Sequence, residues 1–141
     1  ERVLDLGCGS GILSIAALRL GAESAFACDI DEKCVDVAYE NAALNGIGKD
    51  RYTVRWGNVL TDAALRREMG AGYDIVVANI VADVIMGLSP HVRPFLKPGG
   101  LFLCSGIIDE RAAEVLEKLK ADGWDVFEQR SSEGWFSYLC K

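Results

Sequence analysis

The sequence predicts an α/β domain: a mostly parallel sheet covered by helices on both faces and closed at one edge by an antiparallel hairpin. Three observations predict it. Short apolar runs alternate with stretches of helical periodicity along most of the chain, and strands alternating with helices specify a parallel sheet. A glycine-rich turn, "DLGCGSGILS" from Asp5 to Ser14, directly follows the first apolar run. Two aromatic-rich segments end the chain with no helical pattern between them, as the strands of a hairpin would. At 141 residues the chain can build one compact core but not two, so residues 1–141 are expected to form one domain. The expected architecture is a Rossmann-like three-layer sandwich with a seven-stranded sheet.

Each element has its own signal. "RVLDLG" (Arg2 to Gly7) is short, apolar and closed by glycine, as a buried strand is. "GILSIAALRLG" follows as a helix made mostly apolar by Ile12, Ile15, Ala16 and Leu18 to Leu20, with Gly21 as its stop. "SAFACDI" (Ser24 to Ile30) is a second buried strand. The next helix turns Cys34, Val35, Ala38 and Ala42 inward and stops at Asn45-Gly46. "RYTVRWG" (Arg51 to Gly57) alternates, as a strand near an edge does. A polar, partly helical stretch from Thr61 to Gly70 leads to "YDIVVANI" (Tyr73 to Ile80), the most continuously apolar run and the expected central strand. Ser89 and Pro90 split the following helical region as N-cap and first helical residue. "KPGG" (Lys97 to Gly100) is turn chemistry before the strand "LFLCSGI". The segment from Asp109 is amphipathic, with Ala112, Val115, Leu116 and Leu119 on one face and Asp109 expected as N-cap. Ser131 to Gly134 supply the turn of the terminal hairpin.

Composition narrows the function classes. Fifteen basic residues against twenty-one acidic ones give a net charge of −6, which speaks against direct nucleic-acid binding and is compatible with a basic partner. No apolar run approaches the ~20 residues of a membrane span, and no leader pattern opens the chain. The expected location is the cytoplasm. The chain begins on Glu1, almost within its first strand, so it reads as a piece of a longer protein. Five cysteines without a C-x-x-C pair read as reduced, mostly buried thiols rather than zinc ligands or disulfides. The single histidine, His91, is expected on the surface.

The glycine-rich turn carries the chemistry. In open parallel sheets ligands sit outside the carboxyl ends of the strands, and Gly7, Gly9 and Gly11 lie there, opening a helix. Asp29 ends the second strand 22 positions after Gly7, as expected of the carboxylate that accepts ribose hydroxyls. A dinucleotide fingerprint is G-x-G-x-x-G, whereas this turn is G-x-G-x-G with Ile12 in the place of the third glycine. Asp31 reads as a cap of the following helix, which leaves the ribose to Asp29. Asn79 closes the central strand. Read as buried, it needs a hydrogen-bond partner, and two roles stay open. It caps the next helix, or its amide oxygen accepts an amine N–H and aims the nitrogen lone pair at a methyl group. The residues after it, Ile80-Val81-Ala82, include neither proline nor aromatic, so an aliphatic amine suits the site better than a flat base.

The turn, preceded by Asp5, resembles the first motif of the Rossmann-like (class I) methyltransferases that use S-adenosyl-L-methionine, a cofactor without phosphate. "KPGG" and the terminal hairpin are similar to that family's usual features, and Asn58 stands where it commonly has a polar residue near the adenine. "VLDLGCGSGILSIAALRLGA", "CDIDEKCVDVAYENAALNG", "VVANIVAD", "LKPGGLFLCSGI" and "EGWFSYL" resemble, almost end to end, the catalytic domain of the bacterial ribosomal protein L11 methyltransferases. The resemblance implies an S-adenosyl-L-methionine-dependent enzyme that methylates lysine side chains and an N-terminal amine on one protein of the large ribosomal subunit, a basic partner. It implies a cofactor site of Asp5, Gly7, Cys8, Gly9, Ser10, Gly11, Asp29, Ile30, Asn58, Val59 and Asn79, with Asn79 also the catalytic residue and no metal. In that family a substrate-binding domain and a threonine-bearing cofactor contact precede the region, and neither lies within these residues. Methylation of another amine, a base or a small molecule remains open, as do an inactive cofactor-binding module and a nicotinamide oxidoreductase.

Overall fold

The computed structural model describes residues 1–141, which form one seven-stranded sheet, helices on both its faces and the loops between them. In chain order the elements are β1 (Arg2–Leu6), α1 (Ile12–Arg19), β2 (Ser24–Asp29), α2 (Lys33–Leu44), β3 (Tyr52–Trp56), α3 (Ala63–Met69) and β4 (Tyr73–Asn79). There follow α4 (Ala82–Leu88), two 3-10 turns at Ser89–His91 and Arg93–Phe95, β5 (Leu96–Ile108), α5 (Asp109–Ala121), β6 (Val126–Ser132) and β7 (Trp135–Cys140). The strand order is β3-β2-β1-β4-β5-β7-β6. All pairings from β3 to β5 are parallel, and β7 joins β5 and β6 antiparallel.

Two apolar cores flank the sheet. Ile15 and Leu18 of α1 and Ala38 and Ala42 of α2 pack on Val3, Ala25, Ala27 and Val54. On the other face Leu65 of α3, Ile85 of α4 and Val115 of α5 pack on Leu4, Leu6, Val76 and Phe102. The alternation of the strands decides which residue joins which core, and in β1 it sends Asp5 to the α1 side.

Several local expectations are corrected. Ile12 and Leu20 of the apolar first helix are exposed. α1 starts at Ile12 from a left-handed Gly11, which turns Ser14, Ile15 and Leu18 to the sheet instead. In α2 only Ala38 and Ala42 are fully buried, while Cys34 and Val35 sit at the rim. Asp109 is the first residue of α5 rather than its cap, with Ile108 before it. KPGG lies inside β5, where the pairing with β4 jumps from Tyr73–Leu96 to Ile75–Leu101. The turn chemistry is spent on that irregularity. The hairpin turn narrows to Glu133 and Gly134, both at positive φ (52° and 84°), as a two-residue turn between right-twisted strands requires.

Candidate active site

β1 leads outward through β2 to β3, and its neighbour β4 leads the other way through β5 to the hairpin. Loops leaving β1 and β4 therefore part company, and a crevice opens between their carboxyl ends. Gly7, Gly9 and Gly11 sit on one bank of it at φ of 75°, 54° and 84°. A Cβ on Gly7 would stand 2.6 Å from Ile80 Cγ2, and one on Gly11 would stand 2.8 Å from Tyr52 Oη. Those two glycines are bare because the protein itself packs against them. Gly9 differs: nothing lies within 4 Å of its Cβ position, so its bareness leaves room on the crevice side.

The amides of the turn are mostly used within the chain. Gly7 and Cys8 N–H both donate to the Cys28 carbonyl (2.9 and 3.0 Å), and Gly11 N–H donates to the Cys8 carbonyl at 2.8 Å. Gly9 N–H donates to Asp29 Oδ2 at 2.9 Å. A pyrophosphate needs free N–H donors at such a turn, and of the five amides from Gly7 to Gly11 four are already engaged. The turn suits a ligand held by shape and by carbonyl acceptors. Ser10 is exposed at its crest.

Asp29 is held from two sides, its other oxygen accepting the Asp31 N–H at 2.9 Å. Each carboxylate oxygen keeps a second lone pair, so the side chain is a fixed double acceptor at the end of β2. Asp31 accepts the Lys33 N–H at 3.0 Å and closes the turn into α2. Ile30 beside Asp29 is 74% exposed. The Trp56 indole N–H donates to the Ile30 carbonyl at 3.1 Å and holds that loop. Asn58 is exposed after β3, its side-chain oxygen taking the Leu60 N–H at 3.0 Å.

Three expected site residues take other positions. Val59 packs into the core behind the crevice, and its carbonyl accepts from Arg66 Nη1 at 2.8 Å. It also lines a hollow of about 440 Å³ with Leu60, Arg66 and the exposed His91, on the α3–α4 side. Asp5 lies beneath the turn, 1% exposed, and accepts the Ser14 hydroxyl at 2.6 Å. Burial raises its carboxyl from 3.8 to about 6. The Tyr52 hydroxyl is buried close by without a well-formed partner. Asp5 thus braces the turn and does not line the crevice. Cys8 is buried too, and desolvation holds its thiol in the neutral form, as it pushes Cys28 up to about 12. Neither sulfur is a nucleophile near neutral pH.

Asn79 ends β4, on the opposite bank from Asp29. It was expected to be buried and is exposed, because the strand ends there and no helix covers its side. It does not cap α4, which starts from Val81 without a side-chain cap. Gly106 sets its place: at φ 78°, a Cβ there would stand 2.5 Å from Asn79 Oδ1. Sequence reasoning gave Gly106 no role, although a glycine inside an apolar strand signals close backbone approach. Ser14 was likewise unassigned; a serine on the inner face of an apolar helix was its only signal.

Similarity to known proteins shows the family and the fold. A family model described as ribosomal protein L11 methyltransferase (PrmA) matches residues 1–141. The ribosomal protein L11 methyltransferases of Agathobacter rectalis and Desulforamulus reducens are each 44% identical over 140 residues, covering 99% of this chain and 43% of their own length. The chain therefore spans less than half the length of these curated relatives. The crystal structure of ribosomal protein L11 methylase from Lactobacillus delbrueckii superposes with a TM-score of 0.89 at 31% identity, covering 99% of this chain and 69% of that one. An RNA methyltransferase from Salinibacter ruber in complex with S-adenosyl-L-homocysteine, at 21% identity, TM-score 0.74 and coverage of 99% and 78%, shares the fold.

Proposed function

We propose, from the premise that the chain belongs to the ribosomal protein L11 methyltransferase family, that it binds S-adenosyl-L-methionine in the β1–β4 crevice and directs its methyl group to protein amines. The observation that carries this reading is the latch between Gly9 N–H and Asp29. It holds a carboxylate beside a turn with room at Gly9 and few free donors, which fits a nucleoside without phosphates. Asp29 would take the ribose hydroxyls, Ile30 and Asn58 would border the base, and the Gly7–Gly11 turn would border the amino-acid end. When bound, the cofactor supplies an electrophilic methyl group on a sulfonium.

The chain's own work is alignment. In-line displacement gains most from positioning, worth ~7–11 kcal/mol when the reacting atoms are held in line. Asn79, for which Gly106 makes room, offers an amide oxygen that can accept an amine N–H and orient the nitrogen. A lysine amine, with an ordinary pKa of ~10.4, must first lose a proton, and desolvation in the crevice favours that loss. No side chain of the chain is assigned as the base, and in this reading the proton passes to water. The proposed substrate is ribosomal protein L11, a basic partner, methylated at lysine side chains and the N-terminal amine in the cytoplasm. No helix is long and apolar enough to cross a membrane.

The test is Asp29→Ala in the intact protein. Calorimetry with S-adenosyl-L-homocysteine is expected to show affinity falling roughly 100-fold, as loss of two hydrogen bonds to a charged group implies, with methyl incorporation into L11 falling in parallel. Affinity within about threefold of wild type would sink the cofactor assignment.

A further inference from the structure

We infer that the surface formed by the end of β5, the first turn of α5 and the tip of the β6–β7 hairpin is the docking surface for a basic, partly apolar segment of the substrate protein; this rests on the proposed transfer to a protein amine. Strand parity places it. Val77 of β4 packs on the α1-side core, so Asn79 faces the same side, and it pairs with Ser105 of β5. Ile107 belongs to the opposite core and Phe136 of β7 packs against it. Their neighbours Ile108 and Trp135, which pair across β5 and β7, therefore face Asn79's side. α1 and α2 cover β1 to β3 on that side and leave this corner open.

The corner is apolar where it need not be. Ile108 is 43% exposed and Trp135 54%, and across Asn79 the start of α4 adds Val81 at 65% and Val84 at 45%. Between Ser105 and Trp135 lies an open depression of about 430 Å³, lined also by Gly106, Ser132, Ser137 and one cation, Arg130. Ile108 lies three residues beyond Ser105, about 10 Å along the strand. A peptide resting on Ile108 and Trp135 would thus have a long side chain's reach to Asn79.

Charge selects the partner. Asp109 and Glu110 in the first turn of α5 and Glu133 at the hairpin tip are all exposed, and Asp109 N–H donates to the Gly134 carbonyl at 2.9 Å, tying tip to helix. None of the three carboxylates has a salt-bridge partner, whereas the cations nearby do. Arg111 is paired with Asp83 and Glu114, and Arg130 with Glu128. Asp83 is spent on Arg111. The collar left around the apolar patch is negative, so it favours lysine- and arginine-bearing segments and repels a phosphate backbone.

The test measures docking apart from turnover. Fluorescence anisotropy with labelled, unmethylated ribosomal protein L11 is run on the intact protein, on Glu110→Lys/Glu133→Lys and on Ile108→Ser. S-adenosyl-L-homocysteine calorimetry on each variant reports whether the crevice is intact. The expected result is L11 affinity lowered roughly tenfold or more by the double reversal, with a flatter dependence on salt. Ile108→Ser is expected to weaken it as well, and cofactor affinity to stay unchanged. The inference is overturned if both variants bind L11 within about twofold of wild type, or if the wild type shows no affinity. Weakened docking of the variants combined with no methyl incorporation by the wild type leaves this surface standing and removes the proposed activity.

Discussion

The loops leaving β1 and β2 face those leaving β4 and β5 across one crevice, and the two banks differ in how much of their geometry the chain supplies. On the first bank the amides of Gly7, Cys8, Gly9 and Gly11 are bound within the chain, Asp29 is gripped by two N–H groups, and Asp5 with Ser14 forms a buried brace. On the second, Asn79 is exposed and the link from Ile80 N–H to the Ser105 carbonyl is 3.3 Å long, while Val81, Ile108 and Trp135 stand in water. The contrast fits two kinds of ligand. A small cofactor of fixed shape gains from a preformed site. A protein substrate brings surface of its own, so its side of the crevice can stay open until it docks.

The sharpest way to break the contrast is to disturb the wired bank. Gly11→Val would push a side chain against Tyr52 Oη and Ala38 at positive φ, which combines backbone strain with overpacking. Urea denaturation is expected to show a loss of about 3–4 kcal/mol. Gly9→Ala meets nothing within 4 Å and is expected to cost only about 1 kcal/mol of stability while weakening S-adenosyl-L-homocysteine binding far more. Equal stability losses for the two would mean that Gly9 is bare for the fold's sake and not for a ligand's.

Asp5 gives the next largest effect, through pH. Its carboxyl is raised from 3.8 to about 6 by burial, against the lowering effect of Ser14. Between those values the folded chain holds a proton that the unfolded chain has released. This group therefore favours folding at the acid end of the window, and that contribution is lost as pH rises through about 6. Asp5→Asn keeps an acceptor for Ser14 and carries no charge. It is expected to be more stable than wild type at pH 7, by up to about 3 kcal/mol for a shift of this size, with the difference closing toward pH 4. Parallel stability curves for the two proteins would show the brace to be solvated.

The smallest stability effect belongs to the open bank. Asn79→Ala removes an exposed side chain and should change unfolding free energy by no more than about 0.5 kcal/mol. Turnover in the intact protein is expected to fall roughly 100-fold, the scale of losing an orienting hydrogen bond in the transition state, with cofactor affinity retained. Turnover at the wild-type level with that affinity unchanged would remove Asn79 from the chemistry.

How much of this was legible in advance depended on range. The strands and helices were readable from periodicity, and the turn with Asp29 from spacing, because those signals are local. Asn79 was readable as the end of the central strand but misread as buried: its apolar neighbours in β4 suggest a core, and only the end of the strand shows that the core stops before it. Val59 was expected to border the cofactor and its side chain joins the core, because the cluster it shares with Leu65 and Leu6 is not written near residue 59.

The amino-acid sequence by itself determined the alternation of strands and helices, the tight turn after β1 and the carboxylate at the end of β2, since each follows from backbone conformation and side-chain pattern within a few residues. Only the tertiary structure decided that Gly7 and Gly11 are bare for packing while Gly9 faces open space, that Asp5 braces the turn from below, and that Gly106 makes room for Asn79. Those outcomes depend on which strands become neighbours across the sheet, and a short stretch of chain can show that a residue such as Gly106 must be bare without showing which residue tens of positions away it faces.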